Sequence, residues 1–440
     1  MSSSHIPSNS EVGRSVTNRR VLLGSLSGSA IEWYDFLLYA TAAPLVFNSQ
    51  FFPNDDPFVA IMLAYLGNAL TFVIRPFGGI VFAHIGDRIG RKRTLVLTLS
   101  IMGAGTVAIG LLPTYAQIGV LAPALLYFFR IVQGLAIGGE WGGALLLAYE
   151  YAPPQRRGFF GSVPQLGVPL GLVLGNLAMA LATQLPGEAF DAWGWRIPFI
   201  LSIVLVGIGL WIRHGLDETP AFRKMQQSGA VEKLPLGTTL RDHWRAVLVA
   251  IGAKAVETAP FYLFASFVGG YATARLGFSR AEALNAVLVG ALVACVAIPL
   301  CGAVSDRFGR RPIFLVGVVA LAVATFAYFA LLDQRSLPLF FLASALALGV
   351  AWSPVTATLG TMMSETFPAN VRYSGITLGY QIGAAVFSGT APMVAEALVQ
   401  AYDGAWLPVA IYIAVLAAIS FVAAVLARRL AVPAEETGAS

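Results

Sequence analysis

The sequence predicts an all-α integral membrane protein with twelve transmembrane helices in two pseudo-symmetric six-helix halves. Three observations predict it. Apolar runs of membrane-crossing length recur along the whole chain: 57% of residues are hydrophobic, 12% are charged and the mean hydropathy is +0.74. That charged fraction is about half the usual share of a soluble domain. The basic residues between the runs fall almost entirely in alternate connections. And the chain carries the same loop signatures twice.

A polar tail, residues 1–20, shows no cleavable signal pattern. Six runs follow at 21–47, 58–83, 94–112, 119–149, 158–184 and 195–213, and six more at 246–272, 282–304, 312–332, 338–363, 373–400 and 405–427. The expected organisation is therefore a tail (1–20), a first half (21–213), a charged linker (214–245) with room for a short helix, a second half (246–428) and a closing tail (429–440). With the first tail in the cytoplasm, the inside connections hold 21 Lys and Arg and the outside ones four: Arg196, Arg275, Arg280 and Arg335. Such a bias is what orients membrane helices, and an odd helix count would scramble it. The net charge of +5 is thus topological and argues against a nucleic-acid partner. Cys295 and Cys301, in one apolar run, make no disulfide or metal framework.

Gly86-Asp-Arg-Ile-Gly-Arg-Lys-Arg93 follows the second run, and Ser305-Asp-Arg-Phe-Gly-Arg-Arg311 follows the eighth, 219 positions later. Glu150 to Arg157 ends the fourth run and Glu365 to Arg372 ends the tenth, with Glu, Pro and Arg in the same register. Internal duplication is how secondary transporters build alternating access around a midplane site. The loop residues Asp87, Arg88, Arg91, Glu150, Arg157, Asp306, Arg307, Arg310, Glu365 and Arg372 are expected to form a gate: carboxylates at helix ends, clamped by Arg forks. They would latch the cytoplasmic side of the outward-facing state.

The doubled DRxGR(R/K) loop resembles the signature of the major facilitator superfamily. EWYDF, RPFGGIVF, RIVQGLAIGGEWGGA, APPQRRGF and WGWRIPFI together resemble its metabolite:proton symporter family, which includes shikimate, α-ketoglutarate and proline/betaine carriers. The match covers nearly the whole chain. One departure is Ala83, where the first loop motif usually begins with Gly; the second copy keeps it as Gly302. The resemblance implies the major facilitator fold, with helices one, four, seven and ten around a central cavity.

Seven charges lie well inside the runs: Glu32, Asp35, Arg75, Arg130, Glu140, Lys254 and Glu257. Burial of such groups is costly enough to suggest function. At the local repeat offsets Arg75, Arg130 and Glu140 map to Ala294, Ala345 and Val355, so none has a charged counterpart, as an asymmetric solute site allows. Glu32 and Asp35 align with Lys254 and Glu257, each pair at i, i+3 on one helix face. The resemblance places Arg130 where related carriers pair an arginine with a helix-one carboxylate. Asp35 with Arg130 is therefore the expected proton-coupling pair, with Glu32 the competing proton site. Substrate contacts are expected from Arg75, beside Pro76, with Arg130, Lys254, Glu140 and Glu257; three cations suit a carboxylate. Gln165, Tyr380, Gln381 and Trp352 are expected to line the cavity, and glycines four apart in three runs to pack helices closely.

No phosphate-binding GxxxxGK(S/T), zinc ligand cluster or nucleophile elbow occurs, so neither ATP-driven transport nor an enzyme is expected. The sequence thus reads as a proton-coupled symporter of a small organic anion in the bacterial inner membrane, monomeric, with both termini cytoplasmic and no cofactor beyond the proton. Proton-coupled uptake of a zwitterionic solute of the proline or betaine type is the alternative. The tail RRLAVPAEETGAS lacks the heptads that such carriers tend to add.

Overall fold

The computed structural model describes residues 9–89, 91–214, 235–368 and 371–430, the side chains of 9–20, 83–84, 86–91 and 235–236 excepted. Among them twelve long helices carry the chain. α1 runs over Asn9–Ala42 and continues through a wider π turn, Ala43–Phe47, to Gln50. α2 to α6 span Pro57–Phe82, Lys92–Leu111, Leu121–Tyr151, Pro154–Ala182 and Arg196–His214. α7 to α12 span Trp244–Leu276, Arg280–Phe308, Arg310–Leu332, Leu337–Ser364, Arg372–Ala401 and Leu407–Ala427. α2 to α12 are the eleven long and apolar enough to cross a membrane. α1 falls below that hydropathy because Glu32 and Asp35 stand in its middle. A short helix, Pro235–Asp242, lies in the linker.

The helix ends follow local chemistry. Ser279 and Glu282 form a reciprocal capping box that starts α8, the Glu282 carboxylate accepting from the Ser279 amide at 2.8 Å. Gly309, the glycine of the second loop motif, has φ +90° and turns the chain from α8 into α9, a conformation in which a side chain would be strained.

Packing repeats between the halves. α1 lies along α5 as α7 lies along α11; α2 along α4 as α8 along α10; α3 along α6 as α9 along α12. The halves meet chiefly at α2–α11 and α5–α8, two contacts that exchange when each helix is replaced by its counterpart in the other half. The glycine rows explain the closeness. Gly171 faces the Trp33–Tyr34 backbone of α1, Gly134 and Gly138 face backbone of α2, and Gly379 faces Ala250 of α7, all with no room for a further carbon. Both α4 and α10 break at corresponding places, α4 at Gly139–Glu140 and α10 after the π stretch Ala345–Ala351, at Trp352. Interrupted helices in matching positions of two repeats are the strongest structural pointer to a transport site. The outward faces of α6, α8, α9 and α12 expose large apolar side chains such as Ile203, Trp211, Val296 and Val316, a surface suited to lipid rather than water.

Candidate functional site

The stretch Ile31–Tyr39 is buried along its whole length at the centre of the bundle. Its aromatic residues build a box with α2 and α7: Trp33 and Phe36 meet edge-on at 5.9 Å, and Phe36 meets Phe72 at 5.2 Å and Tyr262 at 5.9 Å. Trp33 meets Phe261 at 6.0 Å, and Phe261 in turn meets Trp352 of α10 at 5.0 Å. Arg75 lies against this box, its guanidinium 4.2 Å from the Phe72 ring and 4.7 Å from the Phe36 ring. Arg75 is 3% exposed, yet it makes no hydrogen bond or ion pair with any described residue, and its buried Nε has no acceptor.

The other buried cations are committed. Arg130 does not form an ion pair with Asp35, contrary to the sequence expectation. Its Nε donates to the Gly67 carbonyl at 3.3 Å, Nη1 to Gln133 at 3.0 Å and Nη2 to Asn68 at 2.7 Å, and its guanidinium lies 3.9 Å from the Tyr39 ring. Three neutral acceptors on α2 and α4 therefore satisfy the fork that a carboxylate was expected to fill. Lys254, expected to contact substrate, pairs instead with Glu257 within α7, and its Nζ sits 3.5 Å over the Tyr380 ring. Glu257 also accepts from Thr258 and, at 3.0 Å, from Thr356 of α10, while its backbone carbonyl accepts from Trp352 Nε1 at 2.5 Å. Glu140, expected in the substrate site, pairs with Arg213 at the end of α6 and accepts from Thr98 at 3.2 Å.

Asp35 and Glu32 are the acids left over. Both Asp35 carboxyl oxygens are buried without a hydrogen-bond partner among the described residues. Thr106, Arg130 and Glu140 are the groups whose influence reaches it, but the Thr106 hydroxyl donates to the Met102 carbonyl and accepts from Gln133. Glu32, 4% exposed, likewise has no hydrogen bond or ion pair there; Arg75, Glu140 and Arg213 are its charged neighbours.

Polar atoms of both halves complete the chamber. Gln165 Oε1 accepts from Trp141 at 3.4 Å while its buried Nε2 has no partner; the Trp33 Nε1 and Tyr262 hydroxyl are likewise unmatched. Gln381 donates across the halves to the Gly138 carbonyl at 3.1 Å, leaving its Oε1 free, and Tyr373 donates to Gly139 at 3.0 Å. Both accepting carbonyls stand where α4 breaks. Trp141 stacks on Tyr380 with ring centres 3.4 Å apart, closing the chamber toward the loop-motif face.

On that face α5 and α8 lock together. Asp306 accepts from the backbone amides of Gly158 at 2.7 Å and Phe159 at 2.9 Å, at the start of a helical turn, and from Arg310 at 2.9 Å. Arg310 also reaches Glu365 at 3.3 Å. Burial raises the Glu365 carboxyl above the ordinary range, and Arg310 opposes that rise. Gly302 faces Ser162 and the Gly158 carbonyl with no space for a side chain. Arg157 and Arg372 lie 4.7 Å and 5.8 Å from the Tyr149 ring, Arg372 donates to the Phe367 carbonyl, Arg307 is exposed and Glu150 is partnered. Asp87, Arg88 and Arg91, the first-half members of the expected gate, and Ala83 lie outside the described side chains. At the opposite face a cavity of about 380 Å³ opens between the halves, with Thr41, Asn48, Tyr65, Asn176, Ser266 and Glu396 in its walls.

Arg213, Trp141, Tyr373 and Glu396 carry no sequence signal strong enough to mark them as site residues. Arg213 reads as one more basic residue at a helix end, and only folding carries it to Glu140. Trp141 adjoins Glu140 in the EWGGA motif, and that adjacency was the available signal.

Two six-helix bundles of repeated packing, with a charged chamber between interrupted helices, sealed on one face and cleft on the other, define a multi-pass membrane transporter. The chain belongs to the Major Facilitator Superfamily, whose sequence profile matches residues 25–372 and 255–440. It is 40% identical over 399 residues to the Escherichia coli K12 "Shikimate transporter", covering 90% of this chain and 91% of that one. To the "Inner membrane metabolite transport protein YhjE" of the same strain it is also 40% identical, covering 93% and 94%. The E. coli K12 "Proline/betaine transporter" is 35% identical, covering 92% and 83%. Among solved structures, the proton:xylose symporter XylE bound to 6-bromo-6-deoxy-D-glucose shares the fold with a TM-score of 0.75 at 17% identity, covering 97% of this chain and 99% of that one.

Proposed function

We propose that the protein is a proton-coupled symporter that takes up a small organic anion, a mono- or dicarboxylate of the shikimate or α-ketoglutarate type, across the bacterial inner membrane. The halves 21–213 and 246–428 rock about the linker 214–245, with both termini and the loop-motif face in the cytoplasm, and the unit is a monomer. The observation that carries this reading is Arg75: a buried guanidinium with no acid or acceptor of its own, at the junction of the halves. An unpaired buried cation is expensive, and a substrate carboxylate gripped by its planar fork removes that cost. The relatives named for shikimate and metabolite transport point the same way.

The proton is assigned to Asp35. Burying an ionised carboxylate without a partner costs several kcal/mol, and a proton removes that cost. When the chamber opens to the cytoplasm and the substrate leaves, Arg130 can exchange Asn68 or Gln133 for Asp35 and the proton departs. Coupling follows because substrate and proton each favour the same closed arrangement. Asp35→Asn is expected to abolish accumulation driven by a pH gradient while leaving counterflow measurable. A variant that still concentrates substrate would move the proton to another acid, Glu32 first.

The second reading, a zwitterionic solute, rests on the aromatic box: Trp33, Phe36, Phe72 and Tyr262 offer ring faces that suit a quaternary ammonium, and relatives named for proline and betaine transport match at 35%. Counterflow in proteoliposomes with shikimate, α-ketoglutarate and betaine separates the readings. Exchange of betaine alone would overturn the anion assignment.

A further inference from the structure

Resting on the organic-anion reading, we infer that the substrate carries a single carboxylate on a hydroxylated neutral body, and that it crosses with one proton so that the cycle moves no net charge. The buried charges of the core decide this. Among the described residues they are four acids, Glu32, Asp35, Glu140 and Glu257, and four bases, Arg75, Arg130, Arg213 and Lys254; Arg372, also buried, belongs to the loop network. Two bases are closed in ion pairs, Arg213 with Glu140 and Lys254 with Glu257. Threonines hold both of those acids further: Thr98 on Glu140, Thr258 and Thr356 on Glu257. Each nitrogen of Arg130 already donates to a neutral acceptor.

That leaves one guanidinium, Arg75, to receive an anionic group. A second carboxylate would have to draw Lys254 from Glu257, stranding a buried acid, or take Arg130 from Gly67, Asn68 and Gln133 together. Either exchange offsets much of what it gains. The remaining unmatched atoms of the chamber are neutral: Trp33 Nε1, Gln165 Nε2, the Tyr262 hydroxyl and Gln381 Oε1. Buried polar groups of this kind require partners, and substrate hydroxyls supply both donors and acceptors. Selectivity then comes from leaving these atoms unpaired when the substrate lacks its hydroxyls.

Charge balance sets the proton number. With all eight groups ionised the core sums to zero, and a monocarboxylate brings it to minus one. One proton bound at Asp35 restores zero. An O–H bond forms at the Asp35 carboxylate from a proton delivered by water at the open cavity, and breaks to water on the loop-motif side. From the elements packed around α1 the groups whose electrostatic influence reaches Asp35 are Arg130 and Glu140 of α4 and Thr106 of α3, with Tyr34 its neighbour on α1. A dry, low-dielectric chamber penalises any net charge it encloses, so closure favours the balanced load over substrate or proton alone.

The test uses the full chain in proteoliposomes, with the membrane potential set by potassium and valinomycin. Shikimate, quinate and gluconate serve as hydroxylated monocarboxylates, α-ketoglutarate and citrate as multiply charged competitors. The expected result is accumulation of a monocarboxylate under an acid-outside pH gradient alone, with an imposed negative-inside potential changing its initial rate less than twofold. Neither competitor is expected to be concentrated. Accumulation driven by potential at equal pH, or preferential uptake of α-ketoglutarate or citrate, overturns this inference while leaving organic-anion symport standing. Counterflow with no carboxylate at all overturns both.

Discussion

At the scale of single residues, the core distinguishes buried charges that have a counter-ion from buried charges that have none among the described residues. Glu140 and Arg213 are of the first kind: each is buried, each is the other's counter-ion, and Thr98 and the Leu95 carbonyl complete their hydrogen bonds. Glu140→Gln leaves Arg213 buried with no anion, and removal of one partner from such a pair costs about 3–5 kcal/mol. A marked fall in Tm of the detergent-solubilised protein is expected, with partial recovery in Glu140→Gln/Arg213→Met. Wild-type Tm with a changed KM would instead place Glu140 in the substrate site. Arg75 is of the second kind, and the proposed function makes it the group that grips the substrate carboxylate. Arg75→Lys keeps the charge and loses the fork, so about one charged hydrogen bond, or about 1.5–3 kcal/mol, is forfeited. KM is expected to rise roughly tenfold to a hundredfold with Tm little changed; an unchanged KM removes Arg75 from the binding site.

At the scale of elements, the loop motif works as a helix-to-helix clasp rather than as a general basic patch. Asp306 lies in the last turn of α8 and binds two amides near the start of α5, so one carboxylate ties the halves together where Gly158 and Gly302 bring backbone against backbone. A carboxylate is favoured at the positive end of a helix, and an amide at the same place keeps one acceptor but loses the charge. Asp306→Asn is expected to shift the population toward the state open on the loop-motif face. With Cys295 and Cys301 replaced by serine, a cysteine substituted for Thr361, which packs against Gly161 of the other half, reports this. Its alkylation should be several-fold faster in the Asp306→Asn background. Equal rates would show that the clasp does not hold this face closed.

The whole molecule is one pattern used twice and then broken by its charges. The helix pairings, the α2–α11 and α5–α8 contacts and the breaks in α4 and α10 all obey the duplication, whereas Arg75, Arg130 and Glu140 have no charged equivalents. Symmetry lets either face close by equivalent contacts, and asymmetry at the centre lets an asymmetric solute bind. The basic loops orient this assembly. In intact cells a single cysteine at Arg335 is expected to react with an impermeant maleimide and one at Arg307 to react only after permeabilisation; the reverse pattern would invert the topology.

The sequence by itself determined the class, the helix number, the duplication and seven of the eight buried core charges, all but Arg213, because each is written locally: in run length, in loop composition and in motifs that recur at fixed offsets. α1 shows the limit of composition alone, since its two acids lower its hydropathy, and its place in the count rested on the alternation of loop charge. The core residues Glu32, Asp35, Arg75, Arg130, Lys254 and Glu257 were legible as a set, but their partners were not. Spacing at i, i+3 allowed Lys254 to bond Glu257 but did not require it, and nothing in the chain signals that Asn68 and Gln133 occupy Arg130. A hydrogen bond is decided by rotamer and by distance between helices far apart in sequence, so only the tertiary structure chose which cation is spent and which is free. It left Arg75 without an acceptor and Asp35 without a donor, and those two unfilled valences are what the fold contributes beyond the sequence.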